Sequence, residues 1–298
     1  MKKKKRIVYN LCLAVLICIF LGSAGYLAYY FLQSKKSEDQ FQKLEAMIDA
    51  PVNEEEIVYV ATDGDAEPGL EFVNIDGTRV QKSFASLYRE NHDFIGWLSI
   101  EDTNIDYPVM QTPEEEEYYI HRDFYGEYSS AGTLFVDLES NVQKPSDNIL
   151  IYGHNMKTGK MFHDLLKYEN ESFYKNHKYI QFDTIYGNGT YEVIAAFRTH
   201  ILTEKEDGFR YYQFFNAEDK SAFNQYVSGC KALTGYTIDT DASYGDSLLT
   251  LSTCAYHTDN GSPTSLPDYA SFDSRDCPLC KAGQHIDALV NSFGYSAL

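Results

Sequence analysis

Residues Ile7 to Leu32 are 26 consecutive positions without a charge, and they follow directly on five positive charges, Lys2 to Arg6. A helix needs about 20 apolar residues to cross a bilayer core. This run is long enough, and it predicts a membrane-spanning helix before any other element is considered. A cleaved signal peptide would have a shorter apolar run and a small-residue cleavage site. The nearest approach to such a site is Gly22–Gly25, "GSAG". Clustered Lys and Arg stay on the cytoplasmic side. The chain after about Gln33 is therefore expected outside the cell, beyond a single span.

The remainder is acidic. The whole chain carries −19, and −24 once the five leading positives are set aside. That excludes the basic face that nucleic acid requires, and it predicts no attraction to anionic lipid. Hydrophobic residues make up 44% of the chain, enough for a real core, and 25 tyrosines favour strands. Outside the span there are four cysteines, Cys230, Cys254, Cys277 and Cys280, too few for a disulfide framework.

Residues 34–56 are charged and lack an apolar stripe, which predicts a stalk, part helix and part linker. Residues 61–71 are rich in turn formers. Phe84, Leu87, Tyr88 and Phe94 recur at helical spacing and lead into a strand at 96–100. Short strand-like runs follow at 105–111, 132–137, 148–153, 178–183, 190–200 and 247–253. Helices are predicted at 161–168 and 217–233, the second capped by Asn216. Many short strands with few helices predict a barrel or sandwich.

Two residues stand out as chemistry. Cys254 ends the strongest strand run, "SLLTLST", and a thiol there becomes a nucleophile if a cation or imidazole lies beside it. His154 sits where "NILIYG" gives way to a polar loop, a place where an imidazole can serve as acid and base. Sequence spacing alone does not bring them together. A buried, inert Cys and a surface-loop His are the bland alternatives.

With "TLSTC" (250–254) and "NILIYGHNMKTGKMF" (148–162) on the page, the chain resembles the sortases, membrane-anchored cysteine transpeptidases of Gram-positive bacteria. "GWLSIEDTNIDYPVMQ" (96–111), "YYIHRDFYGEYSSAGTLFVD" (118–137) and the helix at 217–233 resemble the class B branch, over roughly Ser83 to Gly261. The resemblance implies a mainly β fold, a closed eight-strand barrel with N-terminal helices and a helix before the final strands. It implies that Cys254 cleaves a C-terminal sorting signal, LPxTG-like or NPxTN-like, after Thr. His154 would be the general acid and base. Tyr152, Thr253 and Ala255 would line the acyl pocket. Lipid II, a peptidoglycan cross-bridge or a pilin amine would be the acceptor, and the chemistry needs no metal or cofactor.

The implied domains are a basic stub at 1–6, the span at 7–32 and a stalk and linker at 33–80. The catalytic domain would run over 81–261, with a tail at 262–298. The tail departs from the family, whose members carry an Arg opening a final strand roughly eight to ten residues after the nucleophile, where it supports the developing oxyanion. Here Ser262, Pro263 and Thr264 stand in that window, and the first Arg downstream is Arg275. No strand is expected after Gly261, and the abrupt change of pattern there points to a frameshift or a join.

Three other readings follow from the residues. One is a sortase-like barrel that only binds sorting-signal peptides. Another is a hydrolytic cysteine peptidase that uses Asn155 to orient His154. The last is a metal module on Cys277 and Cys280, with His257 or His285 as further ligands.

Overall fold

The computed structural model describes residues 2–253, apart from 53, 63–66, 114, 116, 201 and 203–206, together with two short segments, 287–289 and 294–295. Helix α1 runs unbroken over Lys2–Glu45. Among the described residues it is the one helix long and apolar enough to cross a membrane, and its most apolar stretch is not buried against the protein.

The helix does not end in a free stalk. Phe41 and Leu44 enter the main core, and Phe41 packs edge-on against Tyr107 at 5.0 Å. The acids and lysines of 34–45 occupy the outer face, which conceals the two apolar anchors from a search for a continuous stripe. Strands β1 (Ile57–Val60), β2 (Glu71–Ile75) and β3 (Thr78–Gln81) follow as an antiparallel sheet. Val73, Ile75 and Val80 of this sheet also reach the main core.

Helix α2 covers only Ala85–Glu90, and Phe94, expected on the helix, opens strand β4 (Phe94–Ser99) instead. Strands β5 (Asp106–Met110), β6 (Leu134–Val136) and β7 (Asn148–Tyr152) come next. The expected helix at 161–168 is a 3-10 helix, Phe162–Glu169, followed by α3 (Glu171–Asn176). Strand β8 is Tyr179–Thr184. The run 190–200 splits into β9 (Thr190–Glu192) and β10 (Arg198–His200). Its middle residues, Val193 to Phe197, are buried, and an apolar run without alternation hides the break.

Helix α4 (Lys220–Leu233) is capped by Asp219, whose side chain accepts from the Ala222 amide at 2.8 Å. Asn216, the expected cap, instead accepts from the Asp147 amide at 3.3 Å. Strand β11 (Leu248–Ser252) leads to position 253.

The main sheet has the order β11-β7-β6-β5-β4-β8-β9-β13, where β13 is Gly294–Tyr295, and it curls into a nearly closed barrel. The tail therefore holds strands that were not expected. Asp287–Leu289 (β12) pairs with β10, and β13 pairs with β9. Runs of two or three residues are too short to show a period of two. Neither strand pairs with β11.

Candidate active site

Strands β7 and β11 lie parallel and in step, from Leu248 opposite Asn148 to Ser252 opposite Tyr152. All five residues of β11 are buried, because α4 covers the face turned away from the barrel. On that face Thr250 and Ser252 find partners that satisfy their buried hydroxyls. Thr250 meets Tyr226 at 3.1 Å, and Ser252 meets Tyr211 at 3.0 Å. Thr250 also donates to Asn148 Oδ1 at 2.8 Å, tying β11 sideways to β7.

The two strands leave the sheet joined. The Gly153 amide donates to Ser252 O at 3.1 Å, and the Thr253 hydroxyl donates to Gly153 O at 2.7 Å. Gly153 is required here. A Cβ would sit 2.4 Å from Leu134 Cδ2 and 2.7 Å from Phe162 Cδ2.

His154 follows. Its Nε2 lies 2.7 Å from the Ile120 carbonyl oxygen, and its own carbonyl accepts from the Phe162 amide at 2.8 Å. Its ring stacks on His121, centroids 5.1 Å apart. Burial above all, then the neighbouring His121, pushes the His154 pKa down to about 4, partly opposed by the Ile120 hydrogen bond. That shift favours the neutral ring at pH 7.

Of the remaining expected site residues, Tyr152 is half-buried and donates to Asp137 Oδ2 at 3.1 Å. Asn155 accepts from His163 Nδ1 at 2.8 Å on its side-chain oxygen. The partner of His154 Nε2 is thus the main-chain carbonyl of Ile120, while Asn155 Oδ1 engages His163. Cys254, Ala255, Ser262 and Arg275 lie outside the described residues, as do His257, Cys277, Cys280 and His285. Among the described cysteines, Cys12 and Cys18 are on the apolar helix, and Cys230 is buried in α4 with its thiol pushed up to about 12 by burial. A thiol in that state is inert. The described residues hold no cluster of His, Cys, Asp and Glu suited to a metal.

Sequence reading did not single out Ile120 or His121. The segment 118–137 carried a resemblance, but a carbonyl acceptor has no side-chain signature.

A sortase-domain family model matches residues 98–265, more than half of the chain. The chain belongs to the sortase family. It is 34% identical to the sortase B of Listeria monocytogenes over 181 residues, 61% of this chain and 70% of that protein. It is 32% identical to the sortase B of Staphylococcus aureus over 175 residues, 59% and 68%. Among solved structures, the sortase B of Bacillus anthracis in complex with AAEK1 superposes with a TM-score of 0.62 at 21% identity, a likeness of fold. It covers 89% of this chain and 100% of that one. A Staphylococcus aureus sortase B–substrate complex superposes with a TM-score of 0.56 at 26% identity, covering 72% and 85%. This sortase is thus of the class B type, a cysteine transpeptidase by family.

Proposed function

We propose that this sortase is a membrane-anchored transpeptidase in which Cys254 is the nucleophile and His154 the proton carrier. One observation carries the reading. Cys254 is bonded to Thr253 and His154 to Gly153, and the Thr253 hydroxyl holds Gly153 at 2.7 Å. Each candidate thus follows immediately on a residue of this joint. The Cys254 sulfur attacks the carbonyl carbon of the Thr in a sorting signal, and His154 takes the thiol proton. The peptide C–N bond breaks, and that proton passes to the leaving amine. A cell-wall or pilin amine then attacks the thioester, loses a proton to His154 and expels the thiolate, which recovers it.

The anchor would be α1, whose apolar face is uncovered by protein, with its basic end inside and the barrel outside. Sorting-signal peptides are the substrates this reading supports, as in the Staphylococcus aureus sortase B–substrate complex.

The peptide-binding barrel remains a second reading because β11 stands at one end of the sheet order and, among the described strands, pairs with β7 alone. Loss of the Arg expected near Ser262 would cost about 10²–10³ in rate.

The test mixes the full chain in detergent with LPxTG-like and NPxTN-like peptides and an oligoglycine amine. Mass spectrometry then looks for the thioester and the ligated product. A product absent in Cys254→Ala and His154→Ala supports the transpeptidase. A folded chain that binds peptide yet forms no adduct supports the second reading.

A further inference from the structure

His154 is held by one short turn, and that turn is itself built around a close approach. The 3-10 turn Tyr118–His121 ends in the Ile120 carbonyl that meets His154 Nε2 and the His121 ring that stacks on it. Gly132, at φ +62°, lies against the turn. A Cβ there would sit 2.3 Å from Ile120 O and 2.7 Å from Tyr119 O. The Thr133 amide donates to Tyr119 O at 3.0 Å, and the Thr133 hydroxyl donates to Arg122 O at 2.9 Å. The carbonyl that faces His154 is thus fixed from behind.

A carbonyl only accepts. The Ile120 contact therefore places the proton of the neutral ring on Nε2 and leaves the Nδ1 lone pair open for proton exchange. The His121 ring, stacked 5.1 Å away, disfavours a positive charge on the His154 ring. We infer that His121 is a positioning residue for the transpeptidase reaction. With the Ile120 carbonyl, it holds His154 as the neutral Nε2–H form, which dedicates Nδ1 to the thiol and the leaving amine. This rests on His154 being the proton carrier.

Among the described residues, His121 faces His154 from the turn, and the Tyr128 ring lies 6.4 Å from His121 on its own connection. Cys254 follows Thr253 at the end of β11. His163, in the 3-10 helix that follows the loop after His154, is engaged by Asn155. Tyr152, on β7, is bonded to Asp137.

The experiment uses the full chain with ¹⁵N-labelled histidine in lipid nanodiscs. Ring nitrogen shifts report tautomer and titration, and pre-steady-state acylation is followed across pH. In the parent chain, Nδ1 of His154 is expected unprotonated at pH 7, with a midpoint near 4. His121→Phe keeps an aromatic ring, and His121→Gln keeps a polar one. In both, the midpoint should rise while staying below the ordinary imidazole value, because burial is the larger cause of the shift. The acid limb of acylation should rise with it. A midpoint and limb unmoved in both variants would reduce His121 to packing and overturn the inference, as would a protonated Nδ1 in the parent at pH 7. Acylation that persists in His154→Ala would overturn the underlying catalytic reading, an outcome separable from the ring titration.

Discussion

At the scale of single residues, the proposed site hangs on small contacts. The Thr253 hydroxyl and Gly153 carbonyl form one hydrogen bond between the two strand ends. Its loss in Thr253→Val should cost about 1 kcal/mol of stability, read as a lowered denaturant midpoint, and should slow acylation more than peptide binding. Gly153→Ala forces a methyl against Leu134 and Phe162. Overpacking of this kind costs about 1–3 kcal/mol, to be seen as a fall in Tm.

His154 adds a pH dependence whose sign is fixed by the direction of its shift. Its pKa falls from the ordinary 6.5 to about 4 on folding. Between those values the unfolded chain binds the proton and the folded chain does not. The contribution is therefore complete above about pH 6.5 and is lost progressively as the pH falls toward 4. Thermal melts over that window should show the slope, and His154→Gln should flatten it. The strand ends that precede His154 and Cys254 were legible because each strand run has a break in polarity behind it. The ring's neutral state was not, since it depends on burial and on a neighbour 33 positions away in sequence.

At the scale of elements, α1 and α4 show opposite kinds of legibility. The apolar span was plain, yet the last turns of the same helix looked like a solvated stalk. Ser37, Phe41 and Leu44 are buried there, and Glu38 pairs with Lys160 at 2.9 Å on the loop that follows His154. Phe41→Ala should therefore cost about 3–5 kcal/mol in chemical denaturation. Glu38→Gln, which removes a part-exposed pair, should change stability by no more than about 1 kcal/mol. Helix α4 was predicted in place but capped one turn early. Asn216 and Asp219 both suit an N-cap, and the choice went to Asp219 because Asn216 is bonded to Asp147 at the start of β7.

At the scale of the whole molecule, the unbroken α1 sets the barrel at a fixed distance from the proposed span. Leu32 to Ser37 is five residues, about 8 Å of helix rise. Ser37 lies 3.5 Å from Ser129, on the same 118–133 connection that holds His154. Anchoring through α1 would therefore keep the site close to the outer face of the bilayer. The full chain should remain in the membrane fraction after alkaline extraction. A chain beginning at residue 33 should be soluble with an unchanged Tm, because the buried contacts begin at Ser37. A soluble full chain would remove the anchor.

The sequence by itself determined the apolar span, the β-rich class and the two strand ends that carry Cys254 and His154. Each is written in local periodicity or in a run of one polarity. Only the tertiary structure decided that β7 and β11 run parallel and in step. It also decided that β1 to β3 and the end of α1 join the barrel core. The Ile120 carbonyl and His121 as neighbours of His154 likewise appear only in the folded chain. These depend on contacts between distant segments, and a main-chain acceptor has no residue type by which a sequence could announce it.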